Sequence, residues 1–142
     1  MATKSKKVTR RKFIGNISKA SLATGAAVSV KKAEPVREIK KKFLHHVFFW
    51  LKKDGSKEDT AKLIEGLRKL SKVITIQQFH IGIPADTHRD VVERSYAVSW
   101  FVLLKNAKDQ ESYQNDPIHL QFVKDYSYLW DHVKVHDTVD AV

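Results

Sequence analysis

The chain has 142 residues, with 26 Lys and Arg against 16 Asp and Glu and no cysteine. Without cysteine there is no disulfide, no thiolate metal site and no lipid-attachment cysteine. The net charge of +10 would suggest nucleic acid or an anionic membrane, but nine of the basic residues and none of the acidic ones lie in residues 1–33. The remainder carries 17 basic and 16 acidic residues, so the basic character belongs to the tail. A nucleic-acid function for the rest of the chain loses its main support.

The tail has an order of its own. A basic stretch over 4–12 contains Thr9-Arg10-Arg11-Lys12-Phe13-Ile14, and a weakly apolar, alanine-rich run follows over 20–30. That run is shorter than the roughly 17–25 residues a lone spanning helix needs. The paired Arg10 and Arg11, followed after one residue by Phe13, resemble a twin-arginine (Tat) export signal. The resemblance implies the Tat machinery as a partner and export to the periplasm or cell envelope. Lys19 interrupts the apolar run and no clean A-x-A site precedes Lys31-Lys32. Processing is expected between Ala23 and Glu34, and retention would leave a membrane tether. The competing reading, a bare basic tail for nucleic acid, has no use for the apolar run.

Residues 34–42, with Lys40-Lys41-Lys42, read as a solvated basic linker. Residues 43–51 form an almost unbroken apolar and aromatic run, which suits a strand covered on both faces. Lys52-Lys53-Asp54-Gly55 makes a turn, and Ser56 with Asp59 has capping-box spacing. Leu63, Ile64, Leu67 and Leu70 then predict an amphipathic helix over 57–71. A second strand is expected over 74–83, ending at Pro84, and a third over 94–104. Asn106 caps a short helix to about 114, and Asp116-Pro117 starts another: aspartate at the N-cap, proline at the first helical position. Ile118, Phe122, Tyr126 and Leu129 form its buried stripe. Residues 130–138 supply a fourth strand, and 140–142 a short tail.

This β-α-β-β-α-β order predicts an α+β, ferredoxin-like domain with a four-stranded antiparallel sheet. Its helices can cover only one sheet face, yet the first and third strands are apolar on both. A second copy of the chain is the expected cover, giving a homodimer built as a dimeric α/β barrel.

The segment His46-Val47-Phe48-Phe49-Trp50-Leu51-Lys52, the pair Leu67 and Leu70, the block Tyr113, Pro117, His119 and Phe122, and the closing 133–137 strand resemble the stress-responsive A/B barrel (Dabb) family over 43–139. The resemblance implies a small dimeric barrel with a cavity between sheet and helices, in some relatives a polyketide cyclase. In cyclase-type relatives the tyrosine and histidine of that block act as hydrogen-bond donor and general base. Those roles fall on Tyr113 and His119, and the first-strand histidine on His46. A further cyclase histidine, just after the tyrosine matched by Tyr96, would align with Val98, and Asp116 replaces a histidine that often precedes the proline. The expected ligand-contacting set is therefore His46, Phe48, Trp50, Tyr96, Val98, Trp100 and Phe122.

On physical grounds His119 sits near a helix start, where the macrodipole favours a neutral imidazole able to accept a proton. Tyr113 can offer a phenol to a developing enolate oxygen. Otherwise the two are a helix-start histidine and a half-buried tyrosine sealing a turn. His45 and His46 are adjacent on a strand and face opposite sides. His132 and His136 are about 13 Å apart along a strand, too far to share one metal. No metal and no cofactor are expected, and no P-loop or nucleophile elbow occurs. Trp50, Trp100, Trp130, Phe48, Phe49, Phe79 and Phe101 read as core and dimer interface rather than a ligand box.

The sequence thus predicts an exported dimer that binds a small apolar or carbonyl-containing molecule. A cofactor-free proton transfer of cyclase or lyase type would use His119 and Tyr113. The alternatives are a non-catalytic, stress-related assembly protein and, more remotely, a monooxygenase-like or haem-related barrel.

Overall fold

The computed structural model describes residues 34–141. The expected export signal, with Arg10, Arg11 and Phe13, lies outside the described residues. From Arg37 on, the chain forms one unit. Its elements are β1 (Phe43–Leu51), α1 (Lys57–Leu70), β2 (Gln78–Gly82), β3 (Val98–Leu104), α2 (Ala107–Asn115), α3 (Pro117–Tyr126), a 3-10 turn (Ser127–Leu129) and β4 (Trp130–Val139). The strands form one antiparallel sheet in the order β2-β3-β1-β4, the expected ferredoxin-like fold with its second helix divided in two.

Local chemistry sets most of the boundaries. Gly55 takes the left-handed conformation (φ 68°) that the turn after β1 requires. Ser56 Oγ accepts the Asp59 N–H at 3.2 Å and opens α1. Asn106 Oδ1 does the same for Asp109 at the start of α2, and Asp116 Oδ1 accepts the Ile118 N–H to start α3. Lys41, with φ 54°, donates its N–H to Asp140 Oδ2 at 2.6 Å, which ties the two ends of the domain together.

Two strands are shorter than their sequence pattern. Residues 74–77 do not join β2, because the Val73 and Ile76 N–H groups close turns onto Leu70 and Val73. Residues 94–97 do not join β3, because beyond Phe49 the strand β1 pairs with β4 alone. Both stretches are apolar or alternate as strands do, but each keeps a bond to the sheet only at its last residue, from the Gln77 N–H to the Leu103 carbonyl and from the Ala97 N–H to the Phe49 carbonyl.

The helices cover one face of the sheet. Val47, Phe49 and Leu51 of β1 and Val98, Trp100, Val102 and Leu104 of β3 meet Leu63, Leu67 and Leu70 of α1. Burying each such side chain contributes about 1.5–3 kcal/mol. The opposite face carries Leu44, His46, Phe48, Trp50 and Phe101, all half-buried, and no helix of the unit lies over it.

Gly66, buried in α1, is required by close approach. A Cβ there would lie 2.8–2.9 Å from the Tyr126 ring at the end of α3. Helix propensity alone would favour alanine by about 1 kcal/mol. Overpacking costs about 1–3 kcal/mol and should win. Gly66→Ala is therefore expected to lower the urea midpoint, and to become neutral or stabilising once Tyr126 is alanine. A raised midpoint in the single variant would show that the helices separate freely.

Candidate functional site

Between the helices and the inner sheet face lies a partly open cavity of about 270 Å³. Its walls are mostly apolar: Val47 and Phe49 below, Phe122 and Trp130 at one side. Three polar rings break this lining. Tyr113 stands between two imidazoles, with ring centroids 5.6 Å from His45 and 4.8 Å from His119.

Each ring is held for a separate reason. Tyr113 lies on the last turn of α2, where its oxygen accepts the Trp100 Nε1–H at 3.0 Å. That bond uses a lone pair and leaves the phenolic proton free for another acceptor. Burial pushes the Tyr113 phenol well above its ordinary pKa, and the weaker pull of the Trp100 N–H does not reverse this. Tyr113 is thus a neutral donor across the working pH range.

His45 comes from β1 and is almost wholly buried. Its Nδ1 lies 2.6 Å from Asp137 Oδ1, which is on β4 directly opposite in the register. A carboxylate only accepts, so Nδ1 carries the proton and Nε2 is the bare nitrogen. Gln110 of α2 brings its amide to 3.3 Å from the same Nδ1, and its Oε1 is buried without a partner in the protein.

His119 occupies the third position of α3, and its Nδ1 is buried with no hydrogen bond. Its pKa is lowered, first by burial and then by His45; the Gln114 carbonyl and Asp116 act the other way. The helix start favours the neutral form on sequence grounds, but burial is the larger cause. Of three such unpartnered buried atoms among the described residues, His119 Nδ1 lines this cavity and Gln110 Oε1 belongs to a side chain that reaches His45 in its wall. Orphaned polar groups of this kind cost about 1–3 kcal/mol each unless something else completes them.

The sheet divides the residues expected from sequence. Tyr113, His119, Trp100 and Phe122 line the cavity together. His46, Phe48 and Trp50 lie on the opposite face, because side chains alternate along β1. Tyr96 packs edge-on against Phe48 and Trp50 there. Val98 faces the helices but is sealed in the core and is not part of the cavity wall. The first-strand histidine at the cavity is His45, not His46. Sequence reasoning also missed Asp137 and Gln110. Only the antiparallel register could have found Asp137, since it pairs with His45 across 92 residues. Among the described residues no group of three or more His, Asp or Glu converges as a metal site would.

The model of the stress responsive A/B barrel domain matches residues 43–140. The chain belongs to the Dabb family. No curated protein matches it. Among solved structures, a Dabb protein with a ferredoxin-like fold from Mesorhizobium loti is similar with a TM-score of 0.60 at 16% identity, over 71% of this chain and 98% of that one. A hydroxynitrile lyase from Passiflora edulis gives 0.59 at 16% identity, over 72% and 96%. A dimeric protein of ferredoxin-like fold from Bacteroides fragilis gives 0.56 at 16% identity, over 72% and 100%. At these identities the likeness establishes the fold of this Dabb domain and leaves its chemistry to its own residues.

Two measurements test the cavity's electrostatics. Tyr113→Phe leaves the Trp100 N–H buried without an acceptor and is expected to cost about 1–3 kcal/mol in urea unfolding. His119, with a pKa below the ordinary 6.5, resists protonation when folded. Its contribution is present above that value and lost as pH falls through it. Stability should therefore fall as the pH drops below about 6.5. It should drop less in His119→Asn, and equal drops would show that the ring is freely solvated.

Proposed function

We propose that this Dabb domain binds a small, largely apolar carbonyl compound and moves a proton on it without a cofactor. The observation that carries this reading is the free phenolic proton of Tyr113, held between two imidazoles in an otherwise apolar cavity. In this reading Tyr113 donates to the carbonyl or developing enolate oxygen. His119, neutral near pH 7, takes the proton through its unpartnered Nδ1. Asp137 fixes the His45 tautomer and presents Nε2 as a second proton acceptor.

Size narrows the substrate. The cavity is nearly twice the ~150 Å³ that accommodates benzene. One substituted ring or a short chain fits, which favours lyase-type chemistry over closure of a long poly-β-keto chain. The Passiflora edulis protein, a hydroxynitrile lyase, offers one reaction of the right form. In cleavage of a cyanohydrin by this site, the base would take the hydroxyl proton, the C–C bond would break to leave the carbonyl, and the departing cyanide would take up a proton.

The test uses benzaldehyde and its cyanohydrin as probes, following aldehyde absorbance for turnover and tyrosine fluorescence for binding. His119→Ala is expected to lower kcat/KM by about 10²–10⁴-fold. Tyr113→Phe should lower it by about 10²-fold or more. Saturable binding without turnover in the unaltered protein would reduce the site to a binding pocket. Neither binding nor turnover of any small carbonyl would leave the non-catalytic assembly reading.

The same proposal includes a homodimer through the helix-free sheet face. Its half-buried Phe48, Trp50 and Phe101 form the kind of aromatic surface that interfaces use. The dimeric Bacteroides fragilis protein has the same fold. We further propose that residues 1–33 act as a twin-arginine signal that exports the chain to the periplasm or cell envelope. Replacing Arg10 and Arg11 by lysine should retain the protein in the cytoplasm, and unchanged export would remove that assignment.

A further inference from the structure

Four of the seven histidines lie on the helix-free sheet face: His80 on β2, His46 on β1, His132 and His136 on β4. Three of them form a row across the sheet. His80 is opposite Phe101, Phe101 opposite His46, and His46 opposite His136. Three of the four rings pack against the aromatic surface. His46 lies 4.2 Å from Phe48 and 5.6 Å edge-on from Phe101, measured between centroids. His136 meets Phe48 at 5.8 Å, and His132 stacks on Trp50 at 4.7 Å.

The charges facing this row are of one sign. From β4 comes Lys134, whose ammonium sits 5.2 Å over the Trp50 ring. From β3 come only Ser99, Phe101 and Leu103. Behind the sheet, Asp137 faces the helices and is engaged by His45. At the margins, Asp131 is bonded to His132, and Glu93 accepts the Ser95 N–H on the side of Lys134. No carboxylate lies among His46, His80 and His136. His46 accordingly has a lowered pKa, from burial first and then from His136, His45 and His80.

We propose that this face is a self-association surface that closes only while its imidazoles are neutral, so that the homodimer comes apart as the pH falls below about 6. The inference rests on the homodimer reading above. A second copy seated here brings a second set of histidines and a second Lys134 against a row in which no carboxylate faces His46. Neutral rings bury well against aromatics. Protonated rings meet like charge under partial desolvation, which opposes association. The linkage has one sign. Association lowers the imidazole pKa values, the dimer binds fewer protons than two monomers, and its association constant falls with pH. With one linked proton per copy, the constant changes by up to about 100-fold per pH unit below the monomer pKa.

Sedimentation equilibrium on the full chain at about pH 7.5 and pH 5, with far-UV circular dichroism in parallel, tests it. The expected result is a dimer at the higher pH and a native-like monomer at the lower. His80→Gln with His136→Gln, both at exposed positions, should keep the dimer together at the lower pH. A dimer at both values overturns the pH dependence and leaves the homodimer standing. A monomer at both overturns the homodimer itself. Loss of the native spectrum together with dissociation, or a glutamine variant that dissociates like the unaltered protein, overturns the role of this histidine row.

Discussion

The two-residue period of a strand governs this molecule through β1. From Phe43 to Phe49 this strand is hydrogen-bonded on both sides, by β3 and β4, so its register and its facing are fixed there. A slip of one position would exchange its two faces. As it stands, His45, Val47 and Phe49 face the helices, and His46, Phe48 and Trp50 face away. One side of a single strand supplies a chemical cavity and the other an aromatic surface.

The cavity shows how few polar groups an apolar site needs when each is held by a different element. β1 supplies His45, α2 supplies Tyr113 and α3 supplies His119, while β3 and β4 contribute Trp100 and Asp137 as partners. No two of the three rings share an element, so their spacing depends on the whole core being packed. Loss of core packing anywhere in this unit would be felt as loss of geometry at the site.

Much of this was legible in the sequence, for identifiable reasons. Ser56, Asn106 and Asp116-Pro117 act within a few residues of themselves, so the helix starts could be read directly. The continuous apolar runs of β1 and β3 marked two strands of the sheet, and their helix-facing residues form its core. The strand limits at residues 74–77 and 94–97 were not legible, because a strand needs a partner and the partner lies elsewhere in the chain. The same holds for the site. Tyr113 and His119 stand close in sequence and could be paired, whereas Asp137 meets His45 only through the register. Two adjacent histidines left the choice of face to the fold, and Gly66 looked like an ordinary weakness in a helix rather than a point of contact.

The bond from Lys41 to Asp140 also sets how the domain would respond to mechanical force. Its two ends leave from the same corner, and the first pair of the β1–β4 ladder is Phe43 with Val139. Tension between the ends would load the Lys41–Asp140 bond and then the ladder rungs one after another. That is unzipping rather than shear, and it peels away the central strand on which both faces depend. Heat or denaturant must break the core as a whole, but an unfolding motor pulling on these ends would meet the bonds singly.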